Sequence, residues 1–378
     1  MKIAMIGHKR IPTRSGGVEV VVEELSTRMA DKGHAVTAYN RRCHEKKIKN
    51  YKNVKVVEVK TFEHSSLNAF LYSFFATLKC VFKRYDVIHY HAEGPCAMIP
   101  LAKLFGKKVV ATIHGLDWQR SKWGGFATKY ILFGEKMAAK HADKVIVLSE
   151  NVKKYFKDTY GCDAVFIPNG INPVNREAPD LITSNFGLTK DSYILFLARI
   201  TPEKGLDYLI DAYKAIDTDK KLVVAGNITP ETEYIASVLE KAKGCENILF
   251  TGFVSGKTLS ELFSNCYVYV LPSDIEGMPM SLLEAVGYDA RVIVSDISEN
   301  VDCLDGYGNS FKQSDVQSLK DVLSRCLQHP ELKDNDFKAG VSAADVQKQR
   351  SELAKRYDWD RITDLTLDVY ESIQKKKR

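Results

Sequence analysis

The sequence predicts an α/β protein with two doubly wound domains, each a mainly parallel sheet covered by helices. Short Val- and Ile-rich strands alternate with helical patterns through the first half of the 378 residues. A second alternation of the same kind begins after a polar stretch that contains Pro and Gly. The charge balance also reverses at that stretch, which indicates a domain boundary there.

The first series of strands predicts the sheet of domain one. The helical pattern at 18–29 keeps Glu19, Glu23 and Glu24 off its apolar face, as a helix covering a sheet requires. The strand candidates are 2–7, 35–40, 54–59, 87–91, 108–114 and 144–149.

The second series predicts a similar domain two. We expect domain one at 1–168, a linker at 169–190, domain two at 191–358 and a final helix at 359–378. The strand candidates of domain two are 193–197, 221–226, 248–251, 267–271 and 291–295.

Net charge differs strongly between the halves. Residues 1–168 carry 29 Lys and Arg against 15 Asp and Glu, whereas 169–378 carry 25 against 33, giving +14 and −8. The basic half predicts a polyanionic partner or an anionic membrane surface. No nucleic-acid-binding motif is present, so nucleic acid is not expected.

Cysteine usage and hydropathy predict the compartment. The eight cysteines lack any C-x-x-C pair, which is typical of reduced thiols. No apolar run approaches the length of a membrane span. We expect a cytoplasmic protein that binds peripherally to the inner face of the plasma membrane.

The segment 271–284 carries the most informative pattern, an apolar strand followed by a Gly/Pro loop and a helix. Pro279 suits the first helical position, so the next three backbone amides should point toward an anion such as phosphate. Glu276 and Glu284 would repel a bare phosphate but can accept hydrogen bonds from hydroxyl groups. The sequence therefore predicts a ligand that joins a sugar to a nucleotide.

Two further candidate sites lie in the loops that follow the first strand of each domain. Arg199 and Lys204 follow strand 193–197 and can reach a diphosphate, unless they are solvated surface cations. Gly16 and Gly17 precede helix 18–29, where they allow close approach to a phosphate or form a tight turn.

Three histidines lie on strands of domain one. His114 ends strand 108–114 and should face a cleft between the domains, although a structural histidine would fit the same place. His89 and His91 lack an evident third metal ligand, so structural or substrate contacts are expected, and no metal is predicted.

The segment 67–85 combines aromatic and basic residues. A helix packed on the sheet explains the pattern, but Tyr72, Phe75 and Phe82 exceed one buried stripe. Membrane docking is the alternative hypothesis.

Taken in order, five motifs resemble the retaining family-four glycosyltransferases of the GT-B fold. They are Gly16-Gly17, His114-Gly115, Pro168-Asn169-Gly170, Arg199 with Lys204-Gly205, and Glu276 to Glu284. The resemblance implies two Rossmann-like domains facing across a cleft, with a nucleotide-sugar donor on domain two and an acceptor on domain one. It also implies no metal and no cofactor, and a final helix that crosses back to domain one.

The resemblance further implies roles. Arg199 and Lys204 would bind the donor diphosphate, Glu284 the ribose, and Glu276 with the amides of Gly277 and Met278 the transferred sugar, which His114 would also touch. The implied catalytic set is His114, Arg199, Lys204 and Glu276. The implied donor-binding set is Gly16, Gly17, Arg199, Lys204, Gly252, Phe253, Val254, Glu276, Gly277, Met278, Pro279 and Glu284.

The segment 6–19 is also similar to bacterial members of this glycosyltransferase family that build capsule, exopolysaccharide or lipopolysaccharide, including rhamnosyltransferase-like ones. This similarity implies a lipid-diphosphate-linked saccharide as acceptor. Two rival functions remain, a nucleotide-sugar epimerase of the same fold and a non-catalytic protein that binds nucleotide sugars or polyanions.

Overall fold

A computed structural model of the chain describes residues 1–13, 16–42, 47–61, 68–119, 124–229, 232–328 and 343–374. The chain forms two compact units: Met1–Gly170 with Trp359–Arg378 (unit 1), and Ile171–Asp358 (unit 2). Residues 171–190, expected to form a linker, belong to unit 2 and contain a helix, Leu181–Phe186.

Unit 1 contains an eight-stranded sheet in the order β3-β4-β2-β1-β5-β6-β7-β8. All neighbours are parallel except β3 and β4. The two-residue strands β3 and β8 are too short for a periodic signal, and the sequence did not predict them. The strands are β1 Lys2–Ile6, β2 Ala35–Arg41, β3 Asn50–Tyr51, β4 Val54–Val59, β5 Val87–His91, β6 Val109–Ile113, β7 Lys144–Val147 and β8 Val165–Phe166.

The helices of unit 1 cover this sheet and include the end of the chain. The last one, α15 (Trp359–Gln374), packs on α1, where Arg28 and Lys32 form ion pairs with Asp360 and Asp364. The others are α1 Gly17–Asp31, α2 Asn68–Val81, α3 Glu93–Cys96, α4 Ile99–Leu104, α5 Gly125–His141 and α6 Glu150–Tyr160.

The acidic residues of α1 differ from the prediction. Glu19, Glu23 and Glu24 were expected off the apolar face of this helix, and all three are nevertheless buried. Glu19 accepts a hydrogen bond from the backbone amide of Lys9 at 2.9 Å, and Glu23 accepts one from the hydroxyl of Tyr51 at 3.0 Å. Glu23 also accepts a hydrogen bond from the backbone amide of Thr13 at 3.3 Å, so Glu19 and Glu23 hold the loop after β1 to α1, whereas Glu24 pairs with Arg28 of the same helix.

Unit 2 contains a six-stranded parallel sheet in the order β11-β10-β9-β12-β13-β14. Its strands are β9 Tyr193–Leu197, β10 Lys221–Ala225, β11 Ile248–Gly252, β12 Val268–Leu271, β13 Val292–Ser295 and β14 Asn309–Phe311. Its helices are α7 Leu181–Phe186, α8 Leu206–Lys214, α9 Glu233–Ala242, α10 Gly256–Asn265, α11 Met280–Gly287, α12 Ser298–Leu304, α13 Val316–Gln328 and α14 Ala343–Arg356.

In each unit the strand order reverses direction at one point, between β1 and β5 in unit 1 and between β9 and β12 in unit 2. Loops leaving two such neighbours turn to opposite faces of the sheet, so a crevice opens at their carboxyl ends. In unit 2 these are the loops that carry the charged motifs.

Candidate functional site

The loops after β9 and β12 touch through their backbones. Gly205 has a φ of 63°, a conformation that glycine adopts without strain. A Cβ atom at Gly205 would lie 2.1 Å from the carbonyl oxygen of Pro272. Glycine therefore lets Lys204 on one loop approach Glu276 on the other.

Lys204 and Glu276 form a salt bridge between Nζ and Oε1. Only 13% of the Lys204 side chain and 7% of the Glu276 side chain are exposed, so solvent screens the pair weakly. The hydroxyl of Ser273 donates a second hydrogen bond to Glu276 Oε1, at 2.7 Å. Two donors on one oxygen fix the orientation of the carboxylate.

A buried chain of polar residues supports Ser273. The hydroxyl of Ser295, at the end of β13, donates to the carbonyl oxygen of Ser273. Asn300 in α12 donates to Ser295 Oγ at 3.0 Å. Ser273, Ser295 and Asn300 are all inaccessible to solvent. Sequence reasoning missed this chain, because Ser295 and Asn300 have no motif and become neighbours only through the sheet.

Tyr269 of β12 is a fully buried side chain between β9 and α11. Its hydroxyl is 2.8 Å from Ser281 Oγ in α11 and 3.3 Å from the carbonyl oxygen of Leu197 at the end of β9. Burial raises the pKa of Tyr269, and the negative charges of Glu276 and Glu284 raise it further. The Tyr269 hydroxyl thus links the end of β9 to the start of α11.

The start of α11 differs from the prediction. The helix begins at Met280, so Pro279 precedes the first helical position instead of occupying it. The amide of Leu282, one of the three expected to face an anion, donates to the carbonyl oxygen of Pro279 at 3.1 Å. Gly277, Met278 and Pro279 are buried in the loop before the helix.

The remaining predicted donor residues of unit 2 lie at the same edge of its sheet. Arg199 is exposed just after β9. Gly252 ends β11 with a φ of 73°, Phe253 is 59% exposed and Val254 is half-buried. Because β10 separates β11 from β9, these two groups are about 10 Å apart across the sheet. The edge can therefore accommodate an elongated ligand.

In unit 1, the predicted glycines lie where the loop after β1 enters α1. Gly16 precedes the helix in an extended conformation and Gly17 is its first residue. The structure places them at the carboxyl edge of the sheet of unit 1, and no described contact links them to a ligand role.

His114 belongs to a group of neighbouring histidines in unit 1. Its Nε2 is 3.1 Å from Nδ1 of His91, whose ring lies 4.1 Å from that of His89. His89 also contacts Tyr370 of α15 at 2.6 Å and Thr112 at 2.7 Å.

These strand histidines are neutral. Burial lowers the pKa of His89 to about 3 and that of His91 well below its ordinary range. Among the described residues, no group of three or more His, Cys, Asp or Glu could hold a metal ion. Their contacts make His89 and His91 structural supports of His114.

Comparison with protein families identifies both units. Residues 15–175 match the model "Glycosyltransferase Family 4", and residues 181–340 match "Glycosyl transferases group 1". This chain is a glycosyltransferase, with a family-4 domain followed by a group-1 domain. The charged loops after β9 and β12 lie in the group-1 domain.

The names of two relatives of this glycosyltransferase indicate roles in lipid or polysaccharide synthesis. The phosphatidyl-myo-inositol mannosyltransferase of Mycobacterium leprae is 26% identical over 76% of this chain and 74% of its own. The O-antigen biosynthesis glycosyltransferase WclY of Escherichia coli is 25% identical over 65% of this chain and 71% of its own.

The fold is also found in solved structures. Anabaena HepE in complex with UDP and glucose aligns with a TM-score of 0.78 at 15% identity, covering 98% of this chain and 100% of that one. The expected GT-B fold with two Rossmann-like domains is confirmed. In the described part of the glycosyltransferase, no helix is long and apolar enough to cross a membrane.

Proposed function

We propose that this glycosyltransferase transfers a sugar from a nucleotide-diphosphate sugar to a lipid-diphosphate-linked saccharide in cell-surface polysaccharide synthesis, in the cytoplasm at the inner face of the plasma membrane. Transfer would retain the anomeric configuration and need no metal. The observation that carries the proposal is the Lys204–Glu276 pair at the strand-order reversal of unit 2, where α/β sheets bind ligands. The relative named for phosphatidyl-myo-inositol supports a lipid acceptor, and the relative named for O-antigen biosynthesis supports a role in cell-surface polysaccharide synthesis.

The charges of the site suit the departure of a nucleotide diphosphate. Arg199 and Lys204 would bind the diphosphate and stabilise the negative charge that grows on it as the bond to the sugar breaks. Glu276, held by Ser273, would accept hydrogen bonds from the sugar hydroxyls, together with the amides of Gly277 and Met278.

Retention would proceed without a protein nucleophile. The acceptor hydroxyl attacks the oxocarbenium-like sugar on the face that the diphosphate leaves, and a departing phosphate oxygen takes the hydroxyl proton. His114 would contact the transferred sugar, Glu284 the ribose, and the loop of Gly252, Phe253 and Val254 the base. Gly16 and Gly17 would approach the diphosphate. The sugar would be a hexose or a deoxyhexose such as rhamnose.

The test is donor turnover. Purified protein is incubated with UDP-, GDP-, ADP- and dTDP-sugars in EDTA, with and without a membrane lipid extract, and nucleoside diphosphate release is measured. We expect release from one donor that depends on the extract, and loss of release in Glu276→Ala. The anomeric configuration of the isolated product tests retention, and an inverted product would contradict it.

Lys204→Ala is expected to lower kcat/KM, which corresponds to a loss of about 2–4 kcal/mol in transition-state stabilisation. The loss should fall mainly on kcat, because the ammonium acts on charge that develops in the transition state. Lys243→Ala, at a side chain that is 73% exposed, is the matched control. Release of free altered sugar would instead favour an epimerase. Tight donor binding without release under any condition would favour a non-catalytic binding protein.

A further inference from the structure

One layer of helices in unit 1 carries most of the exposed apolar surface. Among the described residues, seven of the nine exposed large apolar side chains belong to it. Successive crossovers from β4 to β5, β6 and β7 run in one direction along the sheet, so α2, α4 and α5 cover the same face. We call these side chains the aromatic face: Phe70, Phe75, Phe82, Leu104, Phe105, Phe126 and Phe133.

Helix α5 has a regular exposed stripe on this side. Five of its exposed residues form this stripe at spacings of three and four, namely Phe126, Lys129, Phe133, Lys136 and Lys140. The exposed His141 ends the helix next to the stripe. Phe126 is 81% exposed, far more than packing on the sheet would leave. The stripe consists only of Phe and Lys.

Helix α2 continues the aromatic face. Tyr72, Ala76 and Cys80 fill the core of unit 1, whereas Phe75 and Phe82 point away from it and are 39% and 72% exposed. In the segment 67–85, Tyr72 is thus packed in the core as a helix covering the sheet requires, whereas Phe75 and Phe82 are exposed as the docking hypothesis requires. Leu67 lies outside the described residues.

Ring contacts connect the helices into one surface. Phe82 lies just beyond α2, and its ring centroid is 5.5 Å from that of Phe105, which follows α4. Phe70 of α2 lies 5.8 Å from Tyr130 of α5. The ends of α2 thus contact α5 on one side and the residue after α4 on the other, so these three helices are neighbours on this face.

The charge of these segments is almost entirely positive. Residues 68–85, 97–108 and 124–142 contain nine Lys or Arg and a single acidic residue, Glu135. Glu135 is buried and accepts hydrogen bonds from Tyr155 and Tyr160. Asp143 pairs with two of the cations, Lys103 and Lys108, and offsets one positive charge. The other basic residues make the aromatic face electropositive.

We propose that the aromatic face docks unit 1 onto an anionic lipid bilayer. Exposed phenylalanines can enter the headgroup region while the lysines bind lipid phosphates. A second copy of the chain would place the same positive charge against itself, which disfavours self-association through this face. The inference rests on the surface alone, and it deepens the proposed function by naming the contact that brings the enzyme to a lipid-linked acceptor.

The test is flotation of the full chain with vesicles of phosphatidylcholine, alone or mixed with phosphatidylglycerol, without donor or acceptor. We expect binding to the anionic vesicles only. Phe126→Ser with Phe133→Ser, and separately Lys129→Glu with Lys136→Glu, should each weaken it by more than about tenfold. The matched controls are Lys55→Glu with Lys60→Glu, exposed on the β4 side of unit 1, and Phe253→Ser in unit 2.

Absence of wild-type binding to anionic vesicles would overturn the proposal, as would equal binding by the variants and the wild type. Concentration-dependent association that the phenylalanine variants abolish, without vesicle binding, would assign the face to a protein contact instead. Because vesicle binding needs no substrate, its failure is separate from a failure of donor turnover. We expect the Phe126/Phe133 variant and the Lys129/Lys136 variant to keep wild-type turnover of the donor with acceptor dispersed in detergent.

Discussion

At the scale of single residues, the orientation of Glu276 depends on its two donors. Lys204 supplies charge, and Ser273 supplies direction through a 2.7 Å hydrogen bond to the same oxygen. Lys204 has a second proposed task at the diphosphate, so the contribution of orientation is best measured at Ser273. Ser273 itself is inaccessible to solvent, and its backbone carbonyl oxygen accepts a hydrogen bond from the hydroxyl of Ser295.

Ser273→Ala should lower kcat/KM, with a loss of about 1–3 kcal/mol in transition-state stabilisation, because a hydrogen bond to a charged group is lost. The effect should fall on kcat, while nucleoside diphosphate affinity, measured by calorimetry, stays unchanged. Ser273→Thr keeps the hydroxyl and should restore most activity. The control is Ser237→Ala on α9, where the hydroxyl bonds only to a backbone carbonyl of its own helix. Equal loss of affinity and kcat, with no rescue by Thr, would mean that Ser273 has only a structural role.

At the scale of elements, the site depends on two loops that meet with little space between them. The loop after β9 ends at Gly205, and the loop after β12 begins at Pro272. The contact matters because it sets the separation of Lys204 and Glu276, which belong to different loops.

Gly205→Ala should destabilise unit 2 by several kcal/mol, roughly the sum of about 1 kcal/mol for a left-handed residue and the larger cost of displacing a backbone carbonyl. Gly187→Ala isolates the first cost. Gly187 has the same φ of 63°, and a Cβ atom there would meet nothing within 4 Å. Urea unfolding of both variants gives the comparison. Equal destabilisation would show that the contact with Pro272 relaxes without cost.

At the scale of the whole molecule, the histidines are divided unevenly along the chain. Eight of the nine histidines lie in 1–168. Burial holds the pKa of His8 at about 4 and that of His89 at about 3. Their native state is neutral, so it binds fewer protons than the unfolded chain. Burial also raises the pKa values of Glu93 and Glu135, which act in the opposite direction on acidification.

The stability that neutral His89 contributes is complete above its unfolded pKa, near 6.5, and is lost as the pH falls toward 3. The loss between neutral pH and pH 5 is about 2 kcal/mol for this residue. His89→Gln should remove that share, and hydrogen exchange of unit 1 peptides at both pH values measures it. Unit 2 peptides provide the internal reference. An unchanged pH dependence in the variant would show that His89 has the same pKa in the native state as in the unfolded chain.

The sequence by itself determined the two doubly wound units, most strands and the loops that carry Arg199, Lys204 and Glu276. These features are local, since hydrophobic periodicity and turn residues act over a few positions along the chain. The start of α11 was wrong by one residue at Pro279, because a proline before a helix fits both positions.

Only the tertiary structure decided which residues meet. The pairing of Lys204 with Glu276, the support of Ser273 by Ser295 and Asn300, and the burial of Glu19 and Glu23 join distant parts of the sequence. The aromatic face likewise emerged only once the sheet defined which side of each helix is core. Strand order determines these neighbours, and hydrophobic periodicity carries no information about strand order.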